Sequence, residues 1–488
     1  MSLWETTPWL ALLIMLPLLA APAALLLARR HPLWLLSVTL AGITLALTGL
    51  TQQVWESGPQ RYAIGGWGAP LGIDLYADGL SLALLWLALG VGGLVSLHAV
   101  AYLHHNRERT NYFWPVFFLL WTALNALFLA ADIFNLYVTL ELLTLAAVAL
   151  VALAQGEVVL QAALRYLLFA LLGSMSYLLG VALLYGSYGT LDMAQLGSLL
   201  KPEPAAWLAI ALITLGLLVK TAIFPLHGWL PPAHANAQAP VSALLSGLVV
   251  KASFYLLLRL WFQVFTPVVT PPAGQLLGLL GGIAILYGSF QAIYQSRLKL
   301  LVAYSTVAQL GYLLLVFPLA VEAAWNGVVL HALAHGFAKA ALFLAAGNLM
   351  VMLGHDRIAG LSDLGPSLAL NLLIFGLAGI SIMGLPPSGS FLAKWLLLQA
   401  ALESGQWWWA AVILVGGLLA AQYLFQVLGY AFIQPTPAAI QAATVTTLPY
   451  TLQTIPLLLA LISLLLGFAG VPILALLRIG SPFATTGP

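Results

Sequence analysis

Long apolar runs, broken at short intervals by Gly, Pro or a charged residue, occupy nearly the whole chain, and stretches such as Leu10–Leu27 and Leu452–Leu477 can cross a bilayer. Apolar segments of roughly twenty or more residues fall at 8–28, 33–51, 78–103, 112–131, 133–153, 162–185, 206–225, 239–264, 274–295, 300–320, 325–351, 367–401, 407–432 and 452–477. The pattern predicts an all-α polytopic membrane protein of about fourteen transmembrane helices, the fourth and fifth being divided by Asp132 and Asn135. An even count puts both termini on one side. Residues 52–77 carry strand-like Gly, Trp and Tyr and read as a small outer hairpin.

Composition agrees and removes several functions. Of 488 residues, 62% are hydrophobic and 6% charged, against about 25% charged in soluble domains. A net charge of +2 with no basic block excludes nucleic acid as a main partner. The absence of cysteine removes disulfides, thiolate metal sites and iron–sulfur clusters, so redox chemistry would need histidine-held haem or another subunit. No catalytic centre, metal or cofactor is expected in this chain. The first apolar run lacks a basic n-region and a small-residue cleavage site, and reads as a retained helix. One set of alternate loops holds Arg29, Arg30, Arg107, Arg109, Arg297, Lys299 and Arg357, and the other holds Arg61, Lys201 and Arg478. The positive-inside rule then places both termini outside.

Once loop and helix-end charges are set aside, Glu141, Lys220, Lys251, Arg259, Lys339 and Lys394 remain within spans. Each costs roughly 2.5–3.5 kcal/mol at a helix centre on insertion scales, so each needs a reason. Arg259 lies near the outer end of its helix and can snorkel. Glu141, in NLYVTLELLTLAAVAL, is the one acid well inside a span. It reads either as half of a buried ion pair locking helices together or as a proton carrier, and the several lysines competing for it favour the second.

Lys220 stands five residues before Pro225, which frees backbone carbonyls of the preceding turn and predicts a broken helix. His227 and His234 follow in the Pro-rich connection as candidate relay or loop-capping groups, and Lys251 lies midway along the next helix. His331, His335 and Lys339 recur every four residues and so share one helical face. A metal or haem reading finds no HExxH and no facing histidine pair, whereas a row of titratable groups suits a proton relay. Lys394 follows a second interruption at Gly384, Pro386, Pro387 and Gly389, echoing Lys220 and Pro225. Repeated Pro/Gly breaks of this kind point to two inverted units, residues 112–264 and 274–432, preceded by an N-terminal part at 1–111 and followed by a last helix within 433–488.

At these residues the chain resembles the proton-translocating antiporter superfamily of Mrp-type Na+/H+ antiporters, complex I antiporter-like subunits and energy-converting hydrogenases. The resemblance is carried by KTAIFPLHGWLPPAHANAQAPVSALLSGLVVKASFYLL, RLKLLVAYSTVAQLGYLLL, HALAHGFAKAALFLAAGNLM and GLPPSGSFLAKW. It implies fourteen helices, two inverted five-helix repeats, and half-channels joined by a polar axis at the membrane midplane. It also implies that Glu141, Lys220, Lys251 and Lys394 match the family's charges on the fifth, seventh, eighth and twelfth helices, with His331, His335 and Lys339 on the eleventh. The PPAHANAQAPVSALLSG connection resembles the D-type Mrp subunit, although the M-type complex I subunit shares it and usually has glutamate in place of Lys394. The implied role is a proton-conducting subunit of a multisubunit cation/proton antiporter in a prokaryotic cell membrane, with other membrane subunits as partners and protons and Na+ as the transported ions. A proton-pumping subunit of a redox-driven complex is the alternative.

Overall fold

The computed structural model describes residues 8–28, 31–70, 72–103, 107–363, 368–431 and 448–483. The helices before the hairpin are α1 (Trp9–Leu27) and α2 (Pro32–Ser57). Strands β1 (Gln60–Ala63) and β2 (Asp74–Ala77) then pair antiparallel with Arg61 opposite Tyr76, which is the hairpin expected within 52–77. Next come α3 (Gly79–Leu103), α4 (Arg107–Leu129), α5 (Ile133–Ala152), α6 (Glu157–Tyr188), α7 (Met193–Leu199), α8 (Pro204–Lys220) and α9 (Leu230–Asn236). The chain continues through α10 (Ala239–Val264), α11 (Pro271–Ile293), α12 (Leu298–Leu319) and α13 (Glu322–Leu353). It ends with α14 (Ala369–Met383), α15 (Gly389–Glu403), α16 (Trp407–Ala431), α17 (Tyr450–Leu465) and α18 (Gly470–Arg478). Arg29, Arg30 and residues 432–447 lie outside the described residues, as do the side chains of Arg107 and Arg109.

Among the described residues, eleven helices are long and apolar enough to span a membrane, or twelve if α17 and α18, bent by 73°, form one span. The fourteen segments of the sequence pattern are thus not fourteen continuous helices. The segment 206–225 shortens to α8, and 367–401 divides into α14 and α15 around Gly384–Ser388, because proline cannot donate its backbone N–H and glycine takes the left-handed conformation there. Asp132 separates α4 from α5 as expected: its carboxylate caps α5 by accepting from the N–H groups of Phe134 (3.0 Å) and Asn135 (2.7 Å).

Burial sorts the helices. α10 is buried along its whole length and α12 and α13 nearly so, whereas α1, α6 and α16 turn most of their surface outward. The outward residues are themselves apolar, such as Leu168, Leu172 and Leu418, as lipid contact requires. The central helices can therefore shield polar groups from hydrocarbon along most of their length, and Lys251 and Lys339 lie on two of them.

Candidate functional site: a buried row of lysines and histidines

The row starts where α5, α6 and α8 meet. A Cβ on Gly173 of α6 would lie 2.9 Å from the carbonyl oxygen of Gly216 on α8, so the absence of side chains lets these backbones touch. That close approach sets Ser174 and Lys220 against α5. Lys220 Nζ donates to Glu141 Oε2 at 3.2 Å and to Thr144 Oγ1 at 2.8 Å, and Ser174 Oγ donates to the same carboxylate oxygen. Lys220 is the last residue of α8, where the unpaired carbonyl end of the helix favours a cation. The chain then turns through Ala222, in the left-handed region at φ 56°, toward Pro225 and α9.

Hydroxyl groups carry the row across to the central helices. Thr221, next to Lys220, donates through Oγ1 to Ser253 Oγ at 2.9 Å, two residues from Lys251. Lys251 Nζ donates to the carbonyl oxygen of Ser246. That carbonyl lies in a π-helical turn, Leu245–Val249, one of two in α10, where the widened backbone leaves the ordinary ladder. Ser246 Oγ is 3.0 Å from Thr306 Oγ1 on α12, and the adjacent Ser305 accepts from Lys339 Nζ, which also donates to the Val302 carbonyl at 3.0 Å.

From Lys339 the row follows one face of α13. The rings of His335 and His331 stack with centroids 5.6 Å apart and planes 2° apart, as the four-residue spacing predicts. Both are fully buried, and no ring nitrogen makes a well-formed hydrogen bond to protein, although the Gln309 backbone lies beside His331. Buried polar atoms of this kind are the usual ligands of internal water. The Tyr312 ring follows, 5.5 Å from His331, with Lys394 Nζ 4.4 Å from its centre. Lys394 Nζ also donates to the carbonyls of Ile382 (3.0 Å) and Met383 (3.2 Å), which the break after α14 leaves free. Gly384 turns the chain there at φ 81°, and a Cβ on it would fall 2.7 Å from Lys394 Cδ.

The chain's likeness to known proteins can be set against this geometry. Residues 130–420 match the profile described as "NADH:quinone oxidoreductase/Mrp antiporter, TM", and residues 67–113 match "NADH-Ubiquinone oxidoreductase (complex I), chain 5 N-terminus". The chain belongs to the NADH:quinone oxidoreductase/Mrp antiporter family. Within that family it is 37% identical over 436 residues to the N subunit of the NADH-quinone oxidoreductase of Desulforudis audaxviator, covering 87% of each chain. It is 29% identical over 427 residues to the D subunit of the Na(+)/H(+) antiporter of Bacillus subtilis, covering 86% of each. Among solved structures, a chain of the Mrp complex from Dietzia sp. matches with a TM-score of 0.89 at 26% identity over 99% of both chains. The archaeal membrane-bound sulfane sulfur reductase matches at 0.88 and 27% identity over 97% of both. As in these neighbours, the fold is that of a membrane subunit of a multisubunit complex.

Within this family chain, the structure joins Glu141 to Lys220 directly, stacks His335 on His331, and sets Lys394 over the Tyr312 ring beside His331. Lys251 and Lys339 lie on neighbouring helices near the Ser246–Thr306 hydroxyl pair, and Lys220 approaches Lys251 only through the chain neighbours Thr221 and Ser253. His234 and His227 stand to the side. The His234 ring stacks on Phe343 at 4.6 Å, one turn beyond Lys339, and His227 lies among Phe224, Tyr287 and Tyr304. Pro225 and Pro386 stand at the two breaks, after α8 and between α14 and α15. Among the described residues, no three His, Asp or Glu side chains are grouped as metal ligands.

Two sequence readings change. Arg259 does not snorkel: it is fully buried and grips Asp78 with both terminal nitrogens, at 2.8 Å for Nη2–Oδ1. Asp78 also caps α3 through the Ser81 N–H at 2.9 Å and is itself buried. Lys299, counted as a loop charge, is buried at the start of α12 and donates to the Ala237 carbonyl. The sequence also missed Thr144, Ser174, Thr221, Ser246, Ser253, Ser305, Thr306 and Tyr312. Ser and Thr are common in membrane helices and bond their own backbone, so nothing in their spacing marks a bridge.

Proposed function

We propose that this chain is the proton-conducting subunit of a multisubunit cation/proton antiporter, moving protons along Glu141, Lys220, Lys251, Lys339, His335, His331 and Lys394. The observation that carries the reading is the placing of Glu141 with Lys220, of Lys251 and Lys339 beside the Ser246–Thr306 hydroxyl pair and Ser305, and of His335, His331, Tyr312 and Lys394 in succession inside the helix bundle. Protons enter at Lys251 from the cytoplasmic side, pass the Lys339 and histidine region, and leave outward from Lys394. The Glu141–Lys220 pair opens or closes and so biases each cycle. In a low-dielectric interior a charge that appears at one lysine is felt at the next, which couples the steps. Hydroxyls and buried water bridge distances that the side chains do not cover.

The location within this reading is a prokaryotic cell membrane with both termini outside, argued from the distribution of Lys and Arg. Residues 112–264 and 274–432 serve as two inverted units, and each holds a broken helix next to a lysine. Partner subunits cover the outward face of α5, where Glu141 retains 18% exposure between Val138 and Leu145. A carboxylate at that depth is costly against lipid. The relatives' names motivate Na+ as the exchanged ion.

A second reading, a proton-pumping subunit of a redox-driven complex, is favoured by the 37% identity to an oxidoreductase subunit. One experiment addresses both. The complex is purified from native membrane through this chain, its partners are identified, and proton-coupled Na+ transport is measured in vesicles. Small antiporter subunits and Na+-dependent proton movement are the expected result. Iron–sulfur or flavin partners with no Na+ dependence would select the second reading, and unaltered transport in the Lys394→Ala complex would refute the lysine row in either.

A further inference from the structure

A cavity of about 850 Å³ lies at one membrane surface, where α11 ends, α12 begins, α13 has just ended and α16 closes. Its floor is a two-stranded contact in which Arg297 and Arg357 are paired antiparallel. The Leu298 N–H donates to the Asp356 carbonyl at 2.7 Å and the Ile358 N–H to the Ser296 carbonyl at 2.9 Å. This is the non-hydrogen-bonded type of pair, whose Cα atoms approach to about 4.5 Å and whose side chains leave on the same face. The backbone therefore sends two arginine side chains out side by side on one face, and like charges so placed repel unless something negative lies near them.

Asp356 meets part of that need: Arg297 Nε donates to its Oδ2 at 2.7 Å. Among the described residues no second acid pairs with either arginine, so the cavity keeps one positive charge in excess. Tyr294, Tyr430, Gln295 and Gln426 complete the polar lining. Tyr294 is 81% exposed, at the end of a membrane helix, as an aromatic anchor in the headgroup layer is. About one turn before the lining ends of α11 and α16, Phe290 and Phe425 are 50% and 58% exposed and offer apolar surface on the two helices whose ends line the cavity.

We infer that this cavity binds an anionic phospholipid, the headgroup phosphate bridging Arg297 and Arg357 and an acyl chain lying along Phe290 and Phe425. Guanidinium forks match phosphate oxygens in paired hydrogen bonds, and basic pockets between helix ends suit anionic headgroups. Exposed Phe290 and Phe425 on the helices that frame the cavity favour a lipid over free phosphate, which has no acyl chain to place there. The inference does not depend on which ion the complex transports.

The test uses the assembled complex in nanodiscs containing phosphatidylglycerol or phosphatidylcholine with a photoactivatable acyl chain, the labelled peptides being mapped by mass spectrometry. Phosphatidylglycerol is expected to label the segments around Phe290 and Phe425 in excess over phosphatidylcholine. That excess should fall about fivefold in Arg357→Gln, from ~1 kcal/mol per basic residue near an anionic surface, and further in Arg297→Gln/Arg357→Gln. Asp356→Asn, which removes only the competing acid, should raise it. Equal labelling by the two lipids, or an excess that survives the double substitution, overturns the assignment. Millimolar inorganic phosphate that abolishes the excess would make the cavity a free-phosphate site and overturn it too. Where the double variant does not assemble, Asp356→Asn decides, and unchanged labelling refutes the proposal.

Discussion

At the Glu141 end of the row, Lys220 lies 3.2 Å from a carboxylate, whereas at the Lys394 end the ammonium meets two backbone carbonyls and the face of Tyr312. Lys251 and Lys339 resemble the second case, with carbonyl and hydroxyl acceptors and no acid within ion-pair distance among the described residues. The two arrangements respond differently to a proton. In the pair, opposite charges offset each other's desolvation and the net charge stays near zero. At a lysine held only by neutral oxygens, each proton gained or lost changes the buried charge by a full unit. Two unit charges about 8 Å apart at an effective dielectric of about 20 interact by about 2 kcal/mol, enough to bias the occupancy of a neighbouring site. Under the proposed function the paired end serves as the switch and the unpaired stretch as the carriers, while Arg259 with Asp78 is a third arrangement, a closed pair with no member in the row.

Substitutions separate these roles by size of effect. Lys394→Ala should reduce proton-coupled transport in vesicles to background, since it removes the ammonium that stands over Tyr312 at the end of the row; residual transport above half of wild type would remove Lys394 from the pathway. Asp78→Asn should cost ~3–5 kcal/mol of stability, because it leaves the Arg259 guanidinium buried without its acid. It should show as a large drop in thermal midpoint with transport per assembled complex retained, and a transport defect without loss of stability would move Arg259 into the row.

Glu141→Gln keeps a hydrogen-bonding group against Ser174 but deprives Lys220 of its opposite charge. The loss is put at ~2 kcal/mol, the lower end for truncating a buried charge pair because Glu141 is partly exposed. Transport by the assembled complex should then fall about thirtyfold, and a rate equal to wild type would reduce the pair to a helix lock. Gly384→Ala forces a side chain into the left-handed region and against Lys394 Cδ at 2.7 Å. The backbone cost alone is ~1 kcal/mol or more. A several-fold loss of transport is expected, whereas Gly405→Ala, also at positive φ but with open space around it, should lose only stability. Smallest of all, Tyr312→Phe retains the ring over Lys394 and should change transport by less than about twofold, while Tyr312→Leu removes a contact worth ~0.5–2 kcal/mol and should cost more.

Much of the site could be read from the chain because charge in a membrane helix is scarce and expensive. Glu141, Lys220, Lys251, Lys339 and Lys394 stand out against long apolar runs, and the four-residue spacing of His331, His335 and Lys339 determines a shared face before any packing is known. Proline and glycine announced the breaks beside Lys220 and Lys394 for equally local reasons. Charge counting went wrong at Lys299, which stands at a helix end in the sequence yet is covered by neighbouring segments. Hydropathy registers an apolar stretch whether or not its backbone remains one helix, as at 206–225 and 367–401, so the eleven or twelve long spans among the described residues are fewer than the fourteen apolar segments.

The sequence by itself determined a membrane protein, its helical segments, its breaks and the identity of the costly charges, since each follows from short-range chemistry and the price of burying polarity. Only the tertiary structure decided which lysine takes Glu141. That choice rests on the contact of Gly173 with Gly216, which brings α6 and α8 together and sets Lys220 rather than Lys251 against α5. It also decided that Thr221, Ser253, Ser246, Thr306 and Ser305 join neighbouring helices, and that Arg297 and Arg357 face the same cavity. Such partners lie tens to hundreds of positions apart in the chain, and their meeting depends on how whole helices pack, which no local pattern encodes.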